Sequence, residues 1–131
     1  MTEHGLKRAE PLVLIAVGGF AGAILRRTVT VSLPGTLPVL PGAVWGTLTV
    51  NVVGSFALGV LLYEAHLADA LTPETRLIVG TGFLSSFTTY STFAVDTAGL
   101  APRLAVLNVV LNYALGFLAV ALGQLVARWV S

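Results

Sequence analysis

Between Gly82 and Phe93 the chain reads GFLSSFTTYSTF, and seven of these twelve residues carry hydroxyls: Ser85, Ser86, Thr88, Thr89, Tyr90, Ser91 and Thr92. Two further polar sets recur at four-residue spacing: Thr47, Asn51 and Ser55 in GTLTVNVVGSFALG, and Asn108 and Asn112 in LNVVLNYALG, with Gly116 one turn beyond. That spacing puts each set on one face of a helix. Asn amides and Ser or Thr hydroxyls are neutral hydrogen-bonding groups, suited either to clamping helices together or to lining a path for an ion. Bond-making chemistry is not indicated, because no GxxxxGK[ST], HExxH or GxSxG occurs and ionisable groups are sparse. The absence of cysteine removes disulfides and thiolate metal sites.

These polar groups sit in a chain made for lipid. Of 131 residues 56% are hydrophobic and 10% charged, and the formal net charge of +1 offers no basic patch for nucleic acid. A hydrocarbon core about 30 Å thick takes roughly 20 helical residues to cross. Four spans of that kind are predicted, at about residues 11–33, 43–63, 77–95 and 104–127. Arg26 and Arg27 snorkel at the end of the first, and Trp129 anchors the end of the last. SLPGTLPVLPG, from Ser32 to Gly42, is a loop by its three prolines and two glycines. The first span is expected to stay in place, since MTEHGLKRAE mixes acids with bases and no small-x-small cleavage site follows. His4 and His66 are read as solvated groups of the tail and a loop.

In the third span the run SS then TT, with its β-branched threonines, makes a poor continuous helix, and a break is predicted there. Backbone groups freed at membrane depth need protein or a cavity to satisfy them, a recurring way of building ion sites. Tyr90 and Phe93 share a face if helix resumes after the break. No acid lies inside any of the four spans, with Arg76 and Asp96 taken as the borders of the third.

With four spans, Lys7, Arg8, Arg76 and Arg128 fall on one side and Arg26, Arg27 and Arg103 on the other. A split of four to three sets no orientation. Either short loops simply carry few charges, or copies insert both ways and pair antiparallel. Small-xxx-small patterns, Gly18 with Gly22, Gly19 with Ala23 and Gly42 with Gly46, favour close helix approach.

GGFAGAILRR, GTLTVNVVGSFALG and GFLSSFTTYSTF, in this order and spacing, resemble the CrcB family of fluoride channels, also called Fluc, over nearly the whole chain. The resemblance implies an all-α membrane protein of four helices with the third broken, assembled as an antiparallel dual-topology dimer in the cell membrane. It implies passive export of cytoplasmic fluoride, which relieves fluoride toxicity without ATP or proton coupling. Asn51 then stands as the pore-lining amide, and Tyr90 and Phe93 stand where the family has two phenylalanines that turn ring edges to fluoride. Thr89, Ser91 and Thr92 continue that motif, and Asn112 falls where the fourth helix usually offers a hydroxyl to the polar track. A structural sodium ion at the dimer centre would be held by backbone carbonyls at Ser85 and Thr88 of both subunits. Arg26 matches an arginine that attracts anions at a vestibule or fixes the helix end. The chain departs from the family at Ser85-Ser86, usually Gly-Gly, and at Tyr90. The four-to-three charge split favours a homodimer over a pair of different subunits. Two other functions compete: a small multidrug exporter, which needs a membrane-embedded glutamate that Pro11 to Leu25 lacks, and a non-transporting membrane scaffold.

Overall fold

A bilayer core leaves each segment to satisfy its own backbone, so apolar runs of this length must be helical. The computed structural model describes residues 3–33, 38–66 and 71–131, except for the side chains of residues 3–9 and 65–66, and among the described residues it contains no strand. The side chains of His4, Lys7, Arg8 and His66 therefore lie outside the described residues.

The chain runs as α1 (Glu3–Ser32), α2 (Gly42–His66), a single turn α3 (Pro73–Thr75), a π-helical segment (Arg76–Leu84), α4 (Ser85–Phe87), α5 (Tyr90–Gly99) and α6 (Pro102–Val130). Three stretches, Glu10–Ser32, Gly42–Glu64 and Pro102–Val130, are long and apolar enough to cross a membrane. The remaining one, from Pro73 to Gly99, is assembled from short pieces. Its first part is wound wide, and Ser85 Oγ donates to the Thr81 carbonyl and, at 3.1 Å, to that of Gly82. A side-chain donor of this kind satisfies carbonyls that a regular α ladder would have paired.

Glycine decides how closely the elements approach. On α1, a Cβ at Gly18 would overlap the Ile78 carbonyl and one at Gly22 the Phe83 carbonyl, so α1 lies backbone-to-backbone on the π-helical segment. On α2, a Cβ at Gly59 would overlap the Val120 carbonyl of α6. Close approach of this type supplies the packing that holds helices together where burial from lipid contributes little. Leu48, Val50, Leu84 and Phe87 fill the interior, while Leu12, Val17 and Phe20 of α1 and Leu118 and Leu122 of α6 face outward. Before α2 the chain makes a three-residue turn: Val39 has φ 74°, and Leu40 N–H and Trp45 Nε1–H both donate to the Pro38 carbonyl, at 2.9 and 3.1 Å. The turn seats Leu40 in the core.

One border differs from the sequence reading. The charge of Asp96 predicts that the third span closes at Val95, but α5 runs on to Gly99, so the carboxylate lies within a helix. It is tolerated there because Thr47 Oγ1 donates to Asp96 Oδ2 at 2.7 Å. The expected loop of residues 96–103 shrinks to Leu100 and Ala101, with Leu100 N–H bonded to the Thr97 carbonyl and Pro102 opening α6.

Candidate functional site

The break falls at Thr88 and Thr89. Thr88 ends α4 at φ −79°, ψ 161°, and Thr89 continues extended at φ −151°, ψ 123°. β-branched residues are at ease in that region, which is the local reason the helix stops here. Thr89 then caps α5: its Oγ1 accepts the Thr92 N–H at 3.2 Å and donates to Thr92 Oγ1 at 3.1 Å.

Breaking a helix strands backbone groups, and α2 supplies the partner. Asn51 Oδ1 accepts the Thr89 N–H at 2.8 Å while Asn51 Nδ2 donates to the Thr89 carbonyl at 3.0 Å. The side-chain amide thus copies a backbone pairing across the break. In a continuous helix the Thr89 N–H would have gone to the Ser85 carbonyl four residues back; it is directed to Asn51 instead. Gly54, one turn along α2, makes the approach possible, since a Cβ there would overlap Thr88 Cγ2.

The second proton of Asn51 Nδ2 goes to Asn112 Oδ1 at 3.3 Å, and Asn112 Nδ2 donates to the carbonyl and Oδ1 of Asn108 at 2.9 and 3.0 Å. The two polar stripes read from the sequence therefore meet, joined by amides. Ser55 lies on the same cavity wall as Asn51, whereas Thr47 is 2% exposed and turned to Asp96.

Two cavities flank the break. The first, of about 530 Å³, is lined by Asn51, Asn112, Ser85, Thr88, Tyr90 and Phe93, together with Tyr113 and Phe117. Helix does resume with Tyr90 and Phe93 on one face, their ring centroids 5.8 Å apart, and the Tyr113 ring stands nearly perpendicular to that of Phe93 at 6.1 Å. The second, of about 400 Å³, is lined by Arg26, Arg27, Thr30, Thr47 and Thr92. Thr89 lines both cavities and is the side chain standing between them. Ser91 lines neither; it touches the site through Thr89 Oγ1 at 3.3 Å.

Sequence reasoning missed Asp96, Tyr113 and the role of Gly54. Asp96 was set aside as a border. Tyr113 carries no signal in an apolar helix beyond following Asn112, and the Gly54 contact joins residues 34 positions apart.

The fold and site define a small all-helical protein of membrane-crossing composition, with a clasped helix break between an aromatic cavity and a basic one. Residues 13–124 match the family described as CrcB-like protein, Camphor Resistance (CrcB). The chain is 57% identical over 120 residues to the "Fluoride-specific ion channel FluC 1" of Natronomonas pharaonis, covering 92% of this chain and 96% of that one. To the FluC 1 of Haloarcula marismortui it is 54% identical over 125 residues, 95% and 91% of the two chains. To the FluC 2 of Halobacterium salinarum it is 50% identical over 120 residues, 91% and 88%. The chain belongs to the CrcB family.

Proposed function

We propose that the chain is a fluoride-selective channel that lets cytoplasmic fluoride leave the cell passively through the cell membrane. The observation that carries this reading is Thr89, a hydroxyl between an Arg-bordered cavity and a cavity lined by aromatic rings. The names of the relatives support the choice of ion.

Fluoride is small and strongly hydrated, so a path for it must replace water with donors yet let the ion go. Arg26, with Arg27 beside it, gathers anions in the second cavity. Hydroxyls of Thr89, Ser91 and Thr92 rotate to donate, which amides already committed to Thr89 and Asn108 do not need to do. The N-terminal end of α5 adds positive potential at the break. Beyond it, Tyr90 and Phe93 line the cavity, and aromatic ring edges carry the positive part of the quadrupole, which suits an anion. Asn51 and Asn112 hold this geometry as part of the path's wall. None of the neutral groups beyond Arg26 and Arg27 binds an anion as tightly as a lysine or arginine at the break would.

The working unit in this reading is an antiparallel homodimer of four-crossing, dual-topology subunits. Tyr90 is 74% exposed and Phe117 73% exposed although both line the first cavity, so one wall of that cavity is left for another molecule. A second copy supplies it. A structural sodium ion is part of the same reading. Diverting the Thr89 N–H to Asn51 leaves the Ser85 carbonyl without its helical donor, and Ser85 and Thr88 both border the cavity. Carbonyl oxygens are the ligand type a hard cation takes, and two chains contribute twice as many as one. When bound, the cation would add a fixed positive potential beside the anion's path.

Purified protein in liposomes, with fluoride and chloride efflux read by electrodes, tests the function: fluoride should exceed chloride by about a hundredfold or more. Equal rates for the two anions, or no fluoride efflux, would sink the reading. Replacing sodium by N-methylglucamine on both sides of the membrane should lower the thermal midpoint of the detergent-solubilised protein by several degrees and slow fluoride efflux, with sodium restoring both. Identical behaviour in the two buffers would remove the sodium site from the proposal.

A further inference from the structure

Asn108 is 1% exposed, in the first half of α6, and lines neither cavity. Its Nδ2 donates to Thr97 Oγ1 at 2.9 Å, and Thr97 Oγ1 in turn donates to the Phe93 carbonyl at 2.7 Å. Joined to the amides already described, this makes one uninterrupted relay: Phe93 carbonyl, Thr97, Asn108, Asn112, Asn51, Thr89 backbone.

The relay has a sense. A carbonyl only accepts, so Thr97 must give its single proton to Phe93 and receive from Asn108. Asn108 therefore turns Nδ2 to Thr97 and Oδ1 to Asn112, which answers with its own Nδ2 and is held in the same sense by the Asn108 carbonyl at 2.9 Å. Asn112 is then left with Oδ1 for Asn51, and Asn51, having given a proton there and one to the Thr89 carbonyl, keeps Oδ1 for the Thr89 N–H. Both ends of the chain are backbone groups whose direction cannot be reversed, and the four side chains between them satisfy both ends in one orientation. An amide flipped anywhere along it would set acceptor against acceptor or donor against donor.

We propose that Thr97 and Asn108 are positioning residues that anchor this relay at its α5–α6 end and so hold Thr89, the group between the two cavities, in its working orientation. The inference rests on the fluoride-channel reading for its consequence and on the hydrogen bonds alone for its mechanism.

The test compares Thr97→Val, which keeps the side-chain shape and deletes the hydroxyl, with Thr97→Ser, which keeps the hydroxyl. Fluoride efflux from liposomes and backbone hydrogen exchange of the full chain are both measured. With Thr97→Val, fluoride efflux should fall about tenfold or more, and exchange at Thr89 should accelerate by a similar factor while α1 and the outer half of α6 exchange as in the native chain. Thr97→Ser should stay within about twofold of native in both readouts. Native efflux with native Thr89 exchange in Thr97→Val overturns the proposal, and so does acceleration spread evenly over all helices, which is what loss of general stability would give. Should Thr97→Val not fold, Asn108→Leu replaces it: a side chain of similar shape without donor or acceptor cuts the relay between Thr97 and Asn112 and should give the same localised acceleration at Thr89. If the native chain carries no fluoride, the proposed function fails while the exchange comparison still decides the relay.

Discussion

Asn51→Asp is expected to reduce fluoride efflux to the background of protein-free liposomes. The substitution changes one NH₂ into an oxygen, yet that NH₂ makes two of the three bonds at the clasp: to the Thr89 carbonyl at 3.0 Å and to Asn112 Oδ1 at 3.3 Å. An oxygen there faces two acceptors. Leaving both without a donor costs about 1–3 kcal/mol each. The remaining bond, from the Thr89 N–H, survives and is strengthened by the charge, so the break should persist in a shifted geometry and the chain should still fold. The carboxylate also puts a negative charge on the wall of the aromatic cavity, where it opposes entry of an anion. Efflux within about threefold of native, in protein that elutes from a sizing column as the native chain does, would mean that Asn51 neither clasps the break nor borders the path.

The elements most legible in the sequence were those with a local cause. Uninterrupted apolar runs produced α1, α2 and α6, and the two adjacent threonines produced the break, because chain stiffness at Thr88 and Thr89 is a property of those residues themselves. The four-residue spacing of Asn51 and of Asn108 with Asn112 identified a polar face for each helix, but a face does not name its partner. Asn51 and Thr89 are 38 positions apart, and nothing in either segment says that a side-chain amide will stand in for a strand of backbone. Asp96 was misplaced for a related reason. A charge in an apolar sequence reads as an edge, and the hydroxyl that meets it inside α5 belongs to Thr47, 49 residues away. Gly18 and Gly22 were visible as a packing motif, whereas the surface they pack on, a π-helical winding of RLIVGTGFL, is set by tertiary contact with α1 and has no periodicity of its own.

Gly54→Ala should cut fluoride efflux by at least about tenfold, and Thr88→Ser in the same chain should restore much of it. The added Cβ would overlap Thr88 Cγ2 and stand 3.4 Å from the Phe87 ring, so the methyl has little empty space to take. Nor is Thr88 at liberty to rotate, because its Oγ1 donates to the Leu84 carbonyl at 2.9 Å and a new rotamer would abandon that bond. The strain passes to the backbone of the break, moving the residue whose neighbour, Thr89, stands between the cavities. Overpacking of this kind typically costs about 1–3 kcal/mol. Serine at position 88 keeps the oxygen that bonds Leu84 and lacks the Cγ2 that meets the new methyl, so the double variant removes the clash and retains the hydrogen bond. The two changes are thus expected to be strongly non-additive: Thr88→Ser alone should lower efflux slightly or not at all, yet it should raise efflux in the Gly54→Ala background. A double variant as poor as Gly54→Ala alone would show that the glycine is needed for something other than room for Thr88, and the account of how α2 seats the break would have to be abandoned.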